Sequence, residues 1–249
     1  KKFCGLESPN AGFGLDVEIR RKPRHAMFQY YLDILEKIGL TGNVDYRHLV
    51  EKKKINCLKE SNERPVITLC LGTGKTITRE NGKVVAEDFR KGWSYGNWIR
   101  LIKKFSINGY AVYLLGGKKE KTELERMEGL PINDHIVHNL VGRNSLLESL
   151  SVISSSDLVI GADTGLMHCA AAINTPSLTL FGPTYYREYK PFGDVSYHLC
   201  AHVECSPCFG TAHMKCDNFI CMEDISVEMV FDSAVKILEQ EKCLNKNED

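Results

Sequence analysis

LVIGADTGLMHCAAAINTPSLTLFGPT, residues 158–184, is a short apolar run closed by a glycine, an alanine-rich stretch, and a second apolar run closed by Gly182-Pro183. Apolar runs of four or five residues between turn residues read as buried strands, so 158–161 and 177–181 are predicted strands. The stretch 164–173 reads as the helix between them. The first strand delivers Asp163 to its end, and Thr164 and Gly165 make the turn. His168 falls on the first turn of the helix. Ala170, Ala171 and Ala172 are small enough to let it pack close to a sheet.

The same alternation extends in both directions from this unit. Upstream, 66–71 is a strand, and Trp98, Leu101, Ile102 and Phe105 at i, i+3, i+4 and i+7 mark a helix with one buried stripe. The run 110–115 is a strand ending in Gly116-Gly117, with a charged helix following through about Met127. Residues 135–140 are a third strand candidate. Ser145-x-x-Glu148 is a capping box opening a helix expected to bury Leu146, Leu147, Leu150 and Ile153. Downstream, Val227, Val230, Phe231, Ala234, Ile237 and Leu238 line one side of a last helix opened by Ser226. So many strand–helix alternations predict an α/β fold, a doubly wound parallel sheet over about 65–241. Residues 25–38 carry helical spacing, stopped by Gly39, and polar residues 41–64 read as a linker between lobes.

The 249 residues carry 32 Lys plus Arg against 32 Asp plus Glu, and this zero balance argues against a nucleic-acid partner held by bulk electrostatics. No uncharged apolar stretch approaches the roughly 18 residues a membrane-spanning helix needs. Lys1-Lys2-Phe3-Cys4 is not a signal peptide, and the chain is expected to begin partway through a longer protein, in the cytoplasm.

In a doubly wound sheet, ligands bind at the carboxyl ends of the strands, where helix N-termini aim amide donors at anions. Gly72-Thr73-Gly74, Gly116-Gly117, 161–165 and 182–184 are loops of that kind, and four of them in successive turns favour a phosphate- or sugar-bearing ligand. Asp163-Thr164-Gly165 also spells an aspartic-protease signature. That chemistry needs a β-rich fold and a second copy, and the sequence has neither. A blander alternative makes Asp163 only a helix cap. A nicotinamide-dependent oxidoreductase fails because no G-x-G-x-x-G follows an early strand.

D-T-G-x-x-H-x-A-A-A at 163–172, followed by Pro176 and by L-F-G-P-T at 180–184, resembles the signature of bacterial heptosyltransferases, glycosyltransferase family nine. Lys91-Gly92-Trp93 is similar to that family's K-x-W, and Leu115-Gly116-Gly117 to its second strand end. Pro207-Cys208 with Cys205, Cys216 and Cys221 is similar to the cysteine-rich tail of some members. The resemblance covers roughly 20–240. It implies a GT-B fold of two Rossmann-like lobes, here with the N-terminal lobe incomplete: residues 1–64 a remnant of the acceptor lobe and linker, 65–249 the nucleotide-sugar lobe. It further implies transfer of heptose from ADP-heptose to the lipopolysaccharide inner core, with no cofactor required.

Carried over by motif, Lys91 would neutralise donor phosphate charge and Asp163 would hydrogen-bond the donor sugar. Thr73, Gly74, Thr164, Gly165 and His168 would meet the diphosphate. Gly117, Glu120 and Ser145 complete the implied donor contacts. Because the leaving group is a diphosphate, preorganised cations and amides can supply what a metal does elsewhere. Two features depart from the pattern. Lys118 and Lys119 intervene before Glu120, the nearest carboxylate to the second strand. The family's general base, an Asp early in the N-terminal lobe, has no counterpart, since Asp16 lies in the wrong context; roughly a hundred residues, by typical domain size, are expected to precede the chain.

Five of the ten cysteines fall between 200 and 221. Cys205, Cys208, Cys216 and Cys221 have the count and closeness of a tetrahedral zinc site, against which stand packed thiols or reversible disulfides. Arg20-Arg21-Lys22-Pro23-Arg24 suits acceptor phosphates or the anionic inner face of a membrane, and equally a solvated linker. The competing function is a catalytically dead, zinc-stabilised nucleotide- or sugar-binding module.

Overall fold

Pro65 ends a polar stretch, and the chain then enters β3 (Val66–Cys70), a strand buried along its whole length. The computed structural model describes residues 4–6, 17–19, 33, 36, 64–72, 76–80, 83–88, 91–125, 135–209 and 220–245. Five further strands join β3: β6 (Ala111–Leu115), β7 (Val137–Asn139), β8 (Leu158–Ala162), β9 (Ser177–Phe181) and β10 (Ser196–Cys200). All pairings are parallel, in the order β10-β9-β8-β3-β6-β7. Chain progress runs outward from β3 to β7, then returns to the other side of β3 at β8. That reversal makes the β3/β8 boundary the topological switch point, outside which ligands of such sheets bind.

Alternation within β3 sends Ile67 and Leu69 into one core cluster, and Val66 and Cys70 into the other. The first cluster is covered by α1 (Tyr95–Ile107) and α7 (Val227–Asn245), the second by α3 (Leu146–Ser154) and α4 (Gly165–Ala172). Both faces are thus covered, as the alternation predicts. The stripe Trp98, Leu101, Ile102 and Phe105 is at most 1% exposed, contributing about 1.5–3 kcal/mol per side chain. Ser94 caps α1 by accepting from the Asn97 N–H, and Gly109 ends it at φ 85° with Tyr110 N–H reaching back to Phe105 O. In α7 the predicted stripe is buried or half-buried, and Ser226 accepts from the Met229 N–H.

The capping box of α3 is present: the Glu148 N–H donates to Ser145 Oγ at 3.3 Å, and the Ser145 N–H to Glu148 Oε2 at 2.7 Å. Its buried face differs from the expectation. Ile153 and Val152 are buried and Leu150 packs against them, but Leu146 and Leu147 are 60% and 65% exposed. The first turn of this helix carries them into solvent rather than onto the sheet.

Several elements were not anticipated, among them the short helix α6 (Ile220–Glu223) before α7. β10 closes one edge of the sheet, and β4 (Thr76–Glu80) pairs antiparallel with β5 (Lys83–Asp88). β1 (Cys4–Leu6) pairs in parallel with β2 (Val17–Ile19). Of the helix expected at 25–38, Asp33 and Glu36 are described and are helical; the 41–64 linker lies outside the described residues except for Arg64. Among the described residues no helix is long and apolar enough to cross a membrane.

Candidate functional site

β8 ends at Ala162, so Asp163 stands at the carboxyl end of the strand beside the switch point, 8% exposed. Its carboxylate does not cap the following helix. Thr164 occupies the N-cap position of α4 in extended conformation and makes no side-chain cap bond. Asp163 Oδ2 instead accepts from Lys91 Nζ at 2.7 Å, an ion pair whose side chains are 18% (Lys91) and 7% (Asp163) exposed. The capping-only reading of Asp163 is therefore set aside, and so is the protease reading, since the triplet opens a helix on a parallel sheet.

Lys91 reaches this point because Trp93, two residues on, is an anchor. Its indole is 3% exposed, donates from Nε1 to Ile225 O at 2.8 Å and meets Trp98 edge-on at 4.9 Å. Among the described residues, two aromatic rings lie against the ammonium: Phe209 with its centroid 4.5 Å from Nζ and Tyr189 at 5.6 Å. Neither ring was singled out from sequence. Tyr189 ends a short helix, α5 (Tyr186–Tyr189), and Phe209 follows the cysteine-bearing turn.

The α4 terminus has the features of an anion cradle. An added Cβ at Gly165 would meet nothing within 4 Å, so open space lies over the first turn. At Gly161 a Cβ would sit 2.7 Å from Met167 Sδ and 3.0 Å from Cys70 Cβ; only glycine lets α4 lie this close to β8 and β3. Thr164 Oγ1 and Thr184 Oγ1, at the ends of β8 and β9, are buried without a hydrogen-bond partner among the described residues. Ser177, Thr179 and Ser196 hydroxyls share this state within β9 and β10, and Thr164 and Thr184 are the ones that lie at strand ends beside Asp163. His168 is exposed by surface area, yet desolvation at the helix start lowers its pKa; the Asp163 carboxylate opposes that shift and Lys91 adds to it.

Glu120, on the first turn of α2 (Lys118–Glu125), turns back over the strand ends. Its Oε2 accepts from the Gly117 N–H at 2.7 Å, and its carboxyl carbon lies 3.2 Å from where a Cβ on Gly72 would be. Gly72, Gly117 and Glu120 thus meet across the ends of β3 and β6. Ser145 lies beyond the carboxyl end of the edge strand β7, with its hydroxyl committed to the α3 cap. Thr73 and Gly74 lie outside the described residues.

Of the zinc set predicted from spacing, the three described members do not gather around one point. Cys205 is exposed, while Cys208 and Cys221 are buried at 6% and 3%. Among the described residues no three His, Cys, Asp or Glu side chains gather as a metal requires, and Cys216 lies outside them. The turn is instead fastened to β9: Cys208 and Phe209 N–H both donate to Pro183 O, at 2.9 and 2.8 Å, and Ser206 Oγ donates to Gly182 O at 2.6 Å.

The chain is 33% identical over 135 residues to lipooligosaccharide heptosyltransferase 2 of Haemophilus influenzae, covering 53% of this chain and 35% of that protein. It is 31% identical over 126 residues to lipopolysaccharide heptosyltransferase 2 of Escherichia coli, covering 50% and 33%. It spans about a third of the length of these relatives. Among solved structures, the Escherichia coli ADP-heptose lps heptosyltransferase II has the same fold, with a TM-score of 0.68 at 21% identity over 97% of this chain and 71% of that one. Escherichia coli heptosyltransferase WaaC with ADP-2-deoxy-2-fluoro heptose gives 0.57 at 18% identity, over 89% and 59%. The model of glycosyltransferase family 9 (heptosyltransferase) matches residues 41–217, most of the chain and all of the Lys91–Asp163 site, and the chain belongs to that family.

Proposed function

We propose that this chain supplies the nucleotide-sugar site of a glycosyltransferase that moves heptose from ADP-heptose to the lipopolysaccharide inner core. The observation that carries the reading is the Lys91–Asp163 pair at the switch point, beside the open N-terminus of α4. A diphosphate seated there would take the Lys91 ammonium and the α4 amides, with the Thr164 hydroxyl in reach of the same strand end. Asp163, still holding Lys91, would accept from hydroxyls of the sugar. Departure of the diphosphate concentrates negative charge on its oxygens, and a fixed cation with a helix N-terminus stabilises that change without reorganising.

In this reading Glu120 with Gly72 and Gly117 forms the nucleoside side of the site, with Ser145 at its far edge and Thr73 and Gly74 in the loop after β3. Residues 65–249 are the donor lobe and 1–64 belong to the acceptor side. The chemistry asks for no metal or organic cofactor. A zinc ion at Cys205, Cys208, Cys216 and Cys221 would be structural, and metal analysis of the reduced protein tests for it. In this reading the chain works in the cytoplasm, free or in peripheral contact with the inner membrane. The family match favours transfer over a dead binding module. Calorimetric titration with ADP and ADP-heptose, alongside a transfer assay, tests the proposal; failure to bind either ligand would refute it.

A further inference from the structure

We propose that Phe209 is a positioning residue for Lys91, held over the ammonium by the 205–209 turn so that the charge stays at the strand ends where a diphosphate arrives. This rests on the reading of Lys91 as a diphosphate contact.

A lysine carries its charge on a flexible four-carbon stem and loses considerable rotamer freedom when fixed. One carboxylate contact leaves much of that freedom. Here the ammonium also lies 4.5 Å from the Phe209 centroid and 5.6 Å from that of Tyr189, and the two rings meet edge-on at 5.9 Å and 80°. Phe209 is the nearer ring, and its half-buried side chain is placed by backbone bonds. The N–H groups of Cys208 and Phe209 share Pro183 O, and the Ser206 hydroxyl holds Gly182 O. Gly182 and Pro183 follow β9, the strand next to β8, so the ring is registered to the same layer of strand ends as Asp163.

The choice of an aromatic ring has a physical reason. A second carboxylate would hold Lys91 as firmly but would repel an incoming diphosphate. A ring face attracts the cation through its quadrupole and adds no net charge, so the ammonium keeps its charge available to the anion. The turn that the cysteine spacing marks as a metal site thereby acquires another role, as the mount for this ring.

The test replaces Phe209 by phenylalanines carrying one, two and three ring fluorines, which progressively weaken the quadrupole at nearly constant shape, and measures ADP affinity by calorimetry with the melting temperature as control. The proposal expects ADP affinity to fall stepwise with fluorination while melting stays constant. It also expects Phe209→Tyr to bind like the parent and Phe209→Leu to bind about fivefold more weakly, the equivalent of about 1 kcal/mol. If Lys91→Ala weakens ADP binding but the fluorinated series does not, Phe209 only packs, and the proposal is overturned on its own. If Lys91→Ala leaves ADP affinity unchanged, the diphosphate reading of Lys91 is overturned and this inference with it.

Discussion

Asp163→Asn separates what the carboxylate does for the fold from what it does for a ligand. From sequence, the substitution is expected to leave stability almost unchanged, because Asn caps helices about as well as Asp. The structure revises this, since Asp163 caps nothing and instead holds Lys91 at 2.7 Å. Breaking a fully buried pair costs about 3–5 kcal/mol. Lys91 retains 18% exposure and its two ring contacts, so water and the rings compensate in part. A loss of about 1.5–3 kcal/mol, the range for a hydrogen bond to a charged group, is the expected outcome. For a chain of this size that lowers the melting temperature by about 3–12 °C. Ligand binding should then divide. ADP brings its own negative charge to Lys91, where Asp163 competes with it. Two unit charges about 6 Å apart repel by about 3 kcal/mol at an effective dielectric of 20, and by less at a part-exposed site. ADP should therefore bind the variant more tightly, by about fivefold if solvent leaves about 1 kcal/mol of that repulsion. ADP-heptose loses its sugar contact, about 1.5–3 kcal/mol, and should show a net loss. Paired calorimetric titrations and thermal melts read all three quantities. Equal affinity changes for the two ligands would sink the donor-sugar assignment, and unchanged melting would contradict the structural role of the pair.

Further outcomes follow from neighbouring groups. The folded state lowers the His168 pKa, chiefly by desolvation, so the neutral form is favoured; the associated stability is present at higher pH and is lost as pH falls through the folded value. A diphosphate at α4 should reverse that shift. ADP binding near pH 6 should then take up protons, seen as a dependence of binding heat on buffer ionisation enthalpy that His168→Asn abolishes. Trp93→Phe removes the bond to Ile225 O and should cost about 0.5–1.5 kcal/mol of stability in denaturant titrations, with weaker ADP binding as Lys91 loses its anchor. Cys208→Ser tests packing against metal ligation. Packing predicts a loss of stability that a strong chelator does not reproduce in the parent protein, whereas ligation predicts that it does.

The elements legible in the sequence are those whose burial is two-sided or strongly periodic. β3, β8 and β9 are buried throughout and read as short, mostly apolar runs between turn residues. α1 and α7 announce themselves by spacing. β10 is not legible because an edge strand is only half-covered, and Ser196-Tyr197-His198-Leu199-Cys200 carries no sustained apolar run. The antiparallel pairing of β4 with β5 has its sequence signal in Asn81-Gly82, a dipeptide that favours a two-residue reversal. Leu146 and Leu147 fit a helical stripe, but spacing cannot show that the first turn of α3 is not covered. At the site, Lys91 and Asp163 could each be named from a motif. Their contact spans 72 residues of sequence and is decided by strand order, which no local pattern encodes. Tyr189 and Phe209 belong to no motif, and their approach to Lys91 depends on how the turn after β10 is fastened to the end of β9.

The most direct test of the account is titration of this chain and its Lys91→Ala variant with ADP under identical salt and pH. Lys91 is placed to give a charge-assisted contact to phosphate, and its loss should weaken ADP binding by about 1.5–3 kcal/mol, or roughly 10- to 150-fold, with the fold retained by circular dichroism. Equal affinity of the two proteins for ADP would show that the diphosphate does not bind at the Lys91–Asp163 pair and would contradict the account.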